Sequence, residues 1–240
     1  MQMIPTRPDL LVLMISGGIV PSLMGIVLTW FFEGRDGLKV LMASLSWERF
    51  IKAPRSSHAA LLIPLVVNLI LFSIMHTIYP RDVDLLSMVL ERMLPGLVIS
   101  ICASLGEEFG WRGFAFRILN QHKLPHLKST LIVGFVWALW HTFGNYIALG
   151  HYGLANFVVI VFCNAFVNLT AYSIFLSHLY MSGKGSMLLV IIFHGMISFS
   201  SFTFFHDNQS AMEQVMEAFI GCTLSSLSAA LYFFQVENLI

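Results

Sequence analysis

Apolar residues run along this chain in unbroken blocks instead of alternating with polar ones. A helix needs about 20 apolar residues to cross a bilayer core, whereas membrane strands alternate apolar and polar positions over roughly 10 residues. Seven stretches meet the helical requirement: 10–32, 58–79, 85–106, 129–149, 153–180, 186–205 and 212–234. The pattern predicts an all-α, polytopic transmembrane helical bundle of about seven spans, within a range of six to eight. The fifth stretch is expected to tilt strongly or to break near Asn164. No internal repeat or second domain interrupts the series, so residues 1–240 read as a single integral membrane domain. The first run is too long for a signal-peptide core and lacks a basic flank, so it is expected to be a span.

Composition strengthens this picture. Hydrophobic residues make up 57% of the chain and charged residues 11%, with a mean hydropathy of +0.79, where soluble domains carry about 25% charged residues. The formal net charge is zero, which gives no argument for a nucleic-acid partner. Cys102, Cys163 and Cys222 lie far apart in apolar segments and fit neither a disulfide framework nor a metal knuckle.

Charge placement gives an orientation. With the N-terminus outside, ten of the thirteen Lys and Arg fall on the inner side: Arg35, Lys39, Arg49, Lys52, Arg55, Arg112, Arg117, Lys123, Lys128 and Lys184. Arg7 and Arg81 fall outside, and Arg92 lies within the third span. The positive-inside rule then predicts a multi-pass protein of the plasma membrane, N-terminus out and C-terminus cytoplasmic. Between the first two spans, residues 37–50 (GLKVLMASLSWERF) mix apolar and charged side chains, as in an interfacial amphipathic helix or one packed under the bundle.

Ionisable side chains inside a membrane are costly, so they mark functional candidates. One group is Glu107, Glu108 and Arg112, where the third span is expected to end. Adjacent residues on a helix point about 100° apart; Glu108 can therefore pair with Arg112 four residues on, which leaves Glu107 to face elsewhere. A carboxylate in an apolar cavity suits a general base, although Ser104 three residues earlier also makes Glu107 part of a possible capping box. A second group places Trp137 and His141 one turn apart in the fourth span; a third places His194 and Ser198 one turn apart in the sixth, with Gly195 permitting close helix approach. Each histidine alone could serve packing only. Together the three groups offer a carboxylate, two imidazoles and a hydroxyl, enough to activate water and stabilise an oxyanion, or to form a His, His, Glu metal site. Neither His-Glu-x-x-His nor Gly-x-Ser-x-Gly occurs, which excludes a zincin helix and argues against the usual serine-hydrolase elbow.

At these residues the chain resembles the CAAX prenyl endopeptidase and bacteriocin-processing (CPBP, or Abi) family of intramembrane proteases, in its bacterial form. The stretch 107–114, EEFGWRGF, looks like that family's Glu-Glu-x-x-x-Arg signature. The stretch 135–141, FVWALWH, looks like its second, an aromatic shortly before a His, and 192–198, IFHGMIS, like its third. The resemblance implies a protease-like core at about 85–205. It implies that Glu107 activates the hydrolytic water with His141 assisting, that His194 and Ser198 stabilise the oxyanion, and that Glu108 and Arg112 shape the site, with Glu108 also counted among the catalytic residues. Ser198 stands where Asn is commoner, and its hydroxyl reaches less far. The implied partners are the lipid bilayer and a peptide or protein substrate, lipidated or membrane-inserted, as in bacteriocin or signalling-peptide processing or self-immunity. No cofactor is favoured; the alternative is a divalent metal such as zinc on Glu107, His141 and His194. Rival expectations are a non-catalytic scaffold or immunity protein of the same fold, and a proton relay through Glu107, His141 and His194.

Overall fold

The structure, a computed structural model, describes residues 8–80, 84–204 and 209–237; Arg7 and Arg81 lie outside the described residues. All regular structure among the described residues is helical. The helices are α1 (Pro8–Ala43), α2 (Trp47–Ile51), α3 (Arg55–Ala60), α4 (Ile63–Ile78), α5 (Leu85–Gly110), α6 (Arg117–Gln121), α7 (His126–Leu149), α8 (Leu154–Val161), α9 (Thr170–Ser182), α10 (Met187–Phe204) and α11 (Ala211–Glu237). Two π-helical segments complete longer rods: Trp111–Phe116 joins α5 to α6, and Phe162–Leu169 joins α8 to α9.

Six helical stretches are long and apolar enough to cross a membrane: Gly17–Ala43, Arg55–Ile78, Leu86–Gln121, Leu154–Ser182, Met187–Phe204 and Ala211–Tyr232. The predicted polytopic all-α bundle is therefore present. The remaining predicted stretch, 129–149, forms α7, which has span length but carries Lys128, His141 and Asn145.

Three boundaries differ from the sequence expectation. The third span does not stop at 106 but runs on to Gln121, because the charges that seemed to end it are paired inside the bundle. The first runs to Ala43, restarting after a left-handed backbone at Gly34 (φ 66°), so only the last part of 37–50 enters the separate helix α2. The expected break near Asn164 is instead a π-helical stretch through which the rod continues.

The surface is apolar and the interior holds much of the polarity. Phe31, Leu94 and Leu231 are 71%, 70% and 64% exposed, whereas Glu108, Arg112, Ser173 and Ser177 are fully buried. This is the distribution expected where lipid is the solvent. Asp84 caps α5: its carboxylate accepts from Ser87 Oγ at 2.6 Å and from the Leu86 amide at 3.1 Å. The Ser87 contacts hold its carboxyl below the usual range.

Helix α5 packs most extensively against α1 and α10, and its contact with α1 explains where the site lies. A Cβ on Gly106 would stand 2.4 Å from the Gly18 carbonyl oxygen, and one on Gly110 2.2 Å from that of Pro21. Only glycine allows this approach, so Gly106-x-x-x-Gly110 is a small-residue seam of the kind that joins membrane helices. The Glu107–Glu108 pair sits inside that seam's spacing and projects away from it. Gly195 is less demanding, since a Cβ there would find Ser104 Oγ at an ordinary 3.8 Å.

Candidate active site

The two adjacent carboxylates have entirely different surroundings. Glu108 is fully buried and accepts from Arg112 Nη1, one turn later, at 2.9 and 3.3 Å. Its Oε1 also lies 2.6 Å from His194 Nδ1, brought across by α10. Arg112 is fully buried, and its guanidinium lies 4.6 Å above the Trp137 ring. A buried charge is tolerated when it is paired and its hydrogen-bonding groups are engaged. Here one carboxylate binds a cation and an imidazole, while the guanidinium lies against an indole face.

Glu107 is held by indoles instead. Its Oε2 accepts from Trp137 Nε1 at 2.6 Å and from Trp111 Nε1 at 3.4 Å. Its Oε1 faces His141 Nε2 at 3.8 Å, too long for a direct hydrogen bond. His141 Nδ1 lies 3.0 Å from the Trp137 carbonyl oxygen. A carbonyl can only accept, so Nδ1 carries the proton and, in the neutral ring, Nε2 presents a lone pair toward Glu107. The His141 side chain is 32% exposed while that of Glu107 is 7% exposed, which makes His141 the more open wall of the site.

Trp137 connects the two halves. It is almost fully buried, donates to Glu107, lies under Arg112, and meets His141 and His194 edge to face at ring separations of 5.6 and 5.3 Å. The π-helical segment after α5 carries both Trp111 and Arg112. Each reaches the carboxylate four residues before it.

The structure thus gathers Glu107, Glu108, Arg112, His141 and His194 from α5, the π-helical segment, α7 and α10. The capping-box alternative does not hold. Glu107 lies inside α5, where the helix already uses its amides, and Ser104 Oγ donates back to the Ser100 carbonyl at 2.7 Å. Ser198 lies one turn beyond His194 and is half-buried, with no hydrogen bond to the group among the described residues. The sequence reading missed the indole donors to Glu107. The four-residue spacing from Glu107 to Trp111 was visible in the chain, but the bond from Trp137 depends on how α7 docks.

Among the described residues no group of three His, Cys, Asp or Glu side chains is placed to hold a metal ion. In this arrangement Trp137 occupies Oε2 of Glu107 while Oε1 faces His141, and His194 Nδ1 lies against Glu108.

Comparison with known proteins covers the same segment of the chain. The sequence model of the Rce1-like type II CAAX prenyl endopeptidases matches residues 89–200, which contain every residue of the cluster. Through this segment the chain is similar to the Rce1-like CAAX prenyl endopeptidases. A protein of Methanococcus maripaludis named CAAX prenyl protease 2 is 29% identical over 106 residues, 44% of this chain. The match spans 39% of that relative's length. Six helices able to span, together with this similarity to membrane proteases, make this an integral multi-pass membrane protein.

Proposed function

We propose that the chain is an intramembrane endopeptidase in which Glu107 activates a water molecule for attack on a peptide carbonyl. The observation that carries this reading is the division of the Glu107 carboxylate: Oε2 is held by two indole N–H groups, while Oε1 faces His141 Nε2 at 3.8 Å. A water between Oε1 and Nε2 would meet two acceptors and donate a hydrogen to each, leaving a lone pair directed at the substrate. Attack forms the C–O bond and passes the water proton to Glu107. Collapse of the tetrahedral intermediate breaks the C–N bond, and Glu107 returns the proton to the leaving amine. No step requires a metal.

His194 and Ser198 are the proposed oxyanion donors. With Nδ1 on Glu108, His194 has Nε2 left for the substrate, and a doubly protonated ring would bridge Glu108 and the oxyanion. Glu108 and Arg112 are positioning groups in this scheme. The substrate is a peptide or protein with an apolar or lipidated end, such as a bacteriocin or signalling peptide. It enters from the bilayer or the cytoplasmic side, with the N-terminus of the chain outside and the C-terminus inside.

One observation favours a second reading. Ser198 makes no hydrogen bond to the cluster, and a non-catalytic scaffold or immunity protein of the same fold needs no oxyanion donor there. The two readings separate in liposomes containing purified protein and a peptide pool that includes prenylated members, read by mass spectrometry. The protease reading expects cleavage by wild type and a loss of at least about 100-fold in Glu107→Gln, His141→Ala and His194→Ala, with a chelator arm for the metal alternative. Folded wild type that cleaves nothing, with Glu107→Ala still supporting the cellular phenotype, would establish the scaffold.

A further inference from the structure

The segment 37–50, singled out by its mixed character, contributes to a second site whose lining includes none of the residues of the carboxylate cluster. The end of α1, the short α2 and the turn between α9 and α10 enclose a cavity of about 600 Å³. Its walls include Leu45, Ser46, Arg49, Lys52, Gly183 and Lys184. The turn is fixed from both sides: the Met187 amide donates to the Ser44 carbonyl at 2.9 Å, and the Gly185 amide to that of Tyr180 at 2.7 Å. Lys184 and Gly185 both take left-handed backbone, with φ of 51° and 77°. A Cβ on Gly185 would lie 3.5 Å from Arg49 Nη1, so the guanidinium rests against the turn that carries Lys184.

The cavity carries excess positive charge. Lys52 is neutralised by Glu48 at 2.6 Å, whereas Arg49 and Lys184 have no acidic partner among the described residues. Its surroundings are apolar and outward-facing: Trp47, Ile51 and Met42 are 63%, 59% and 44% exposed. In α2, Trp47 and Ile51 lie one turn apart on one side, with Arg49 and Lys52 on another. An amphipathic element of this kind sits with its apolar side at the acyl boundary and its cations at headgroup depth.

We propose that this cavity binds the phosphate of an anionic phospholipid, with Arg49 and Lys184 as the phosphate ligands and Trp47 and Ile51 against the acyl chains. Free phosphate shares the headgroup chemistry, but the exposed apolar rim matches only a lipid. The proposal needs the membrane placement of the fold and is independent of the peptidase reading.

The test is native mass spectrometry of detergent-solubilised full-length protein titrated with phosphatidylglycerol or phosphatidylcholine, with thermal unfolding in parallel. Wild type is expected to retain phosphatidylglycerol preferentially. Each cation removed should weaken it roughly fivefold, and Arg49→Gln with Lys184→Asn together roughly 25-fold; Asn suits the left-handed backbone at 184. Lys39→Gln, whose lysine pairs with Asp36 outside the cavity, should leave binding unchanged. Should the double variant not fold, Lys184→Asn alone decides on the fivefold effect. An unaltered lipid preference in the folded variants would overturn the proposal. So would inorganic phosphate that displaces phosphatidylglycerol and stabilises the protein equally well.

Discussion

Glu107 and Glu108 are neighbours in sequence, yet the structure treats them as opposites. Glu108 lies in a closed network, bound to a cation and an imidazole with no exposed surface. Glu107 lies in an open one, bound on one side by indoles and facing a partly exposed imidazole on the other. The first arrangement costs desolvation and recovers it through pairing, so it fixes geometry. The second leaves one oxygen uncommitted, as a base requires. Equal residue types at adjacent positions thus acquire separate surroundings from the helices that face them.

The sharpest way to break this comparison is to remove each carboxylate and follow folding. Glu108→Ala leaves Arg112 buried without its partner, and should destabilise the protein by about 3–5 kcal/mol in chemical denaturation in micelles. Glu107→Gln keeps an acceptor for Trp137 and should unfold close to wild type while losing activity. Comparable destabilisation by both would show that the two carboxylates are equivalent structural groups. Trp137→Phe comes next: it keeps a ring beneath Arg112 but removes the N–H that holds Oε2. Losing a hydrogen bond to a charged group costs about 1.5–3 kcal/mol, so kcat should fall at least about tenfold with little change in KM. A larger change in KM than in kcat would place Trp137 in substrate binding instead. The smallest effect is expected from Ser198→Asn, whose longer amide can reach an oxyanion: a rise in kcat of a few-fold, with unchanged thermal stability. A fall in kcat would remove position 198 from the oxyanion site.

Much of this was legible in the chain itself. Unbroken apolar runs leave no structure but membrane helices, because lipid satisfies no backbone group, and the helical fold follows from that alone. The pairing of Glu108 with Arg112 followed from four-residue spacing, since i,i+4 residues share a helix face whatever surrounds them. The same rule put Trp137 and His141 together. Where the rule misled, it was local in the same way: Ser104 and Glu107 have capping-box spacing, but a cap requires a helix start, and α5 starts twenty-two residues before Glu107, at Leu85.

What the tertiary structure alone decided is how these faces meet. Charges at 107–112 read as the end of a span because an unpaired charge belongs at the surface; docking of α7 and α10 supplied the partners that let the helix continue to Gln121. The indole of Trp137 reaches Glu107 across thirty residues of sequence, and His194 reaches Glu108 across eighty-six. The close approach of Gly106 and Gly110 to α1 is likewise made between helices. Spacing rules describe a single helix. The contacts that separate the two carboxylates arise between helices, where packing distance and side-chain reach decide the outcome.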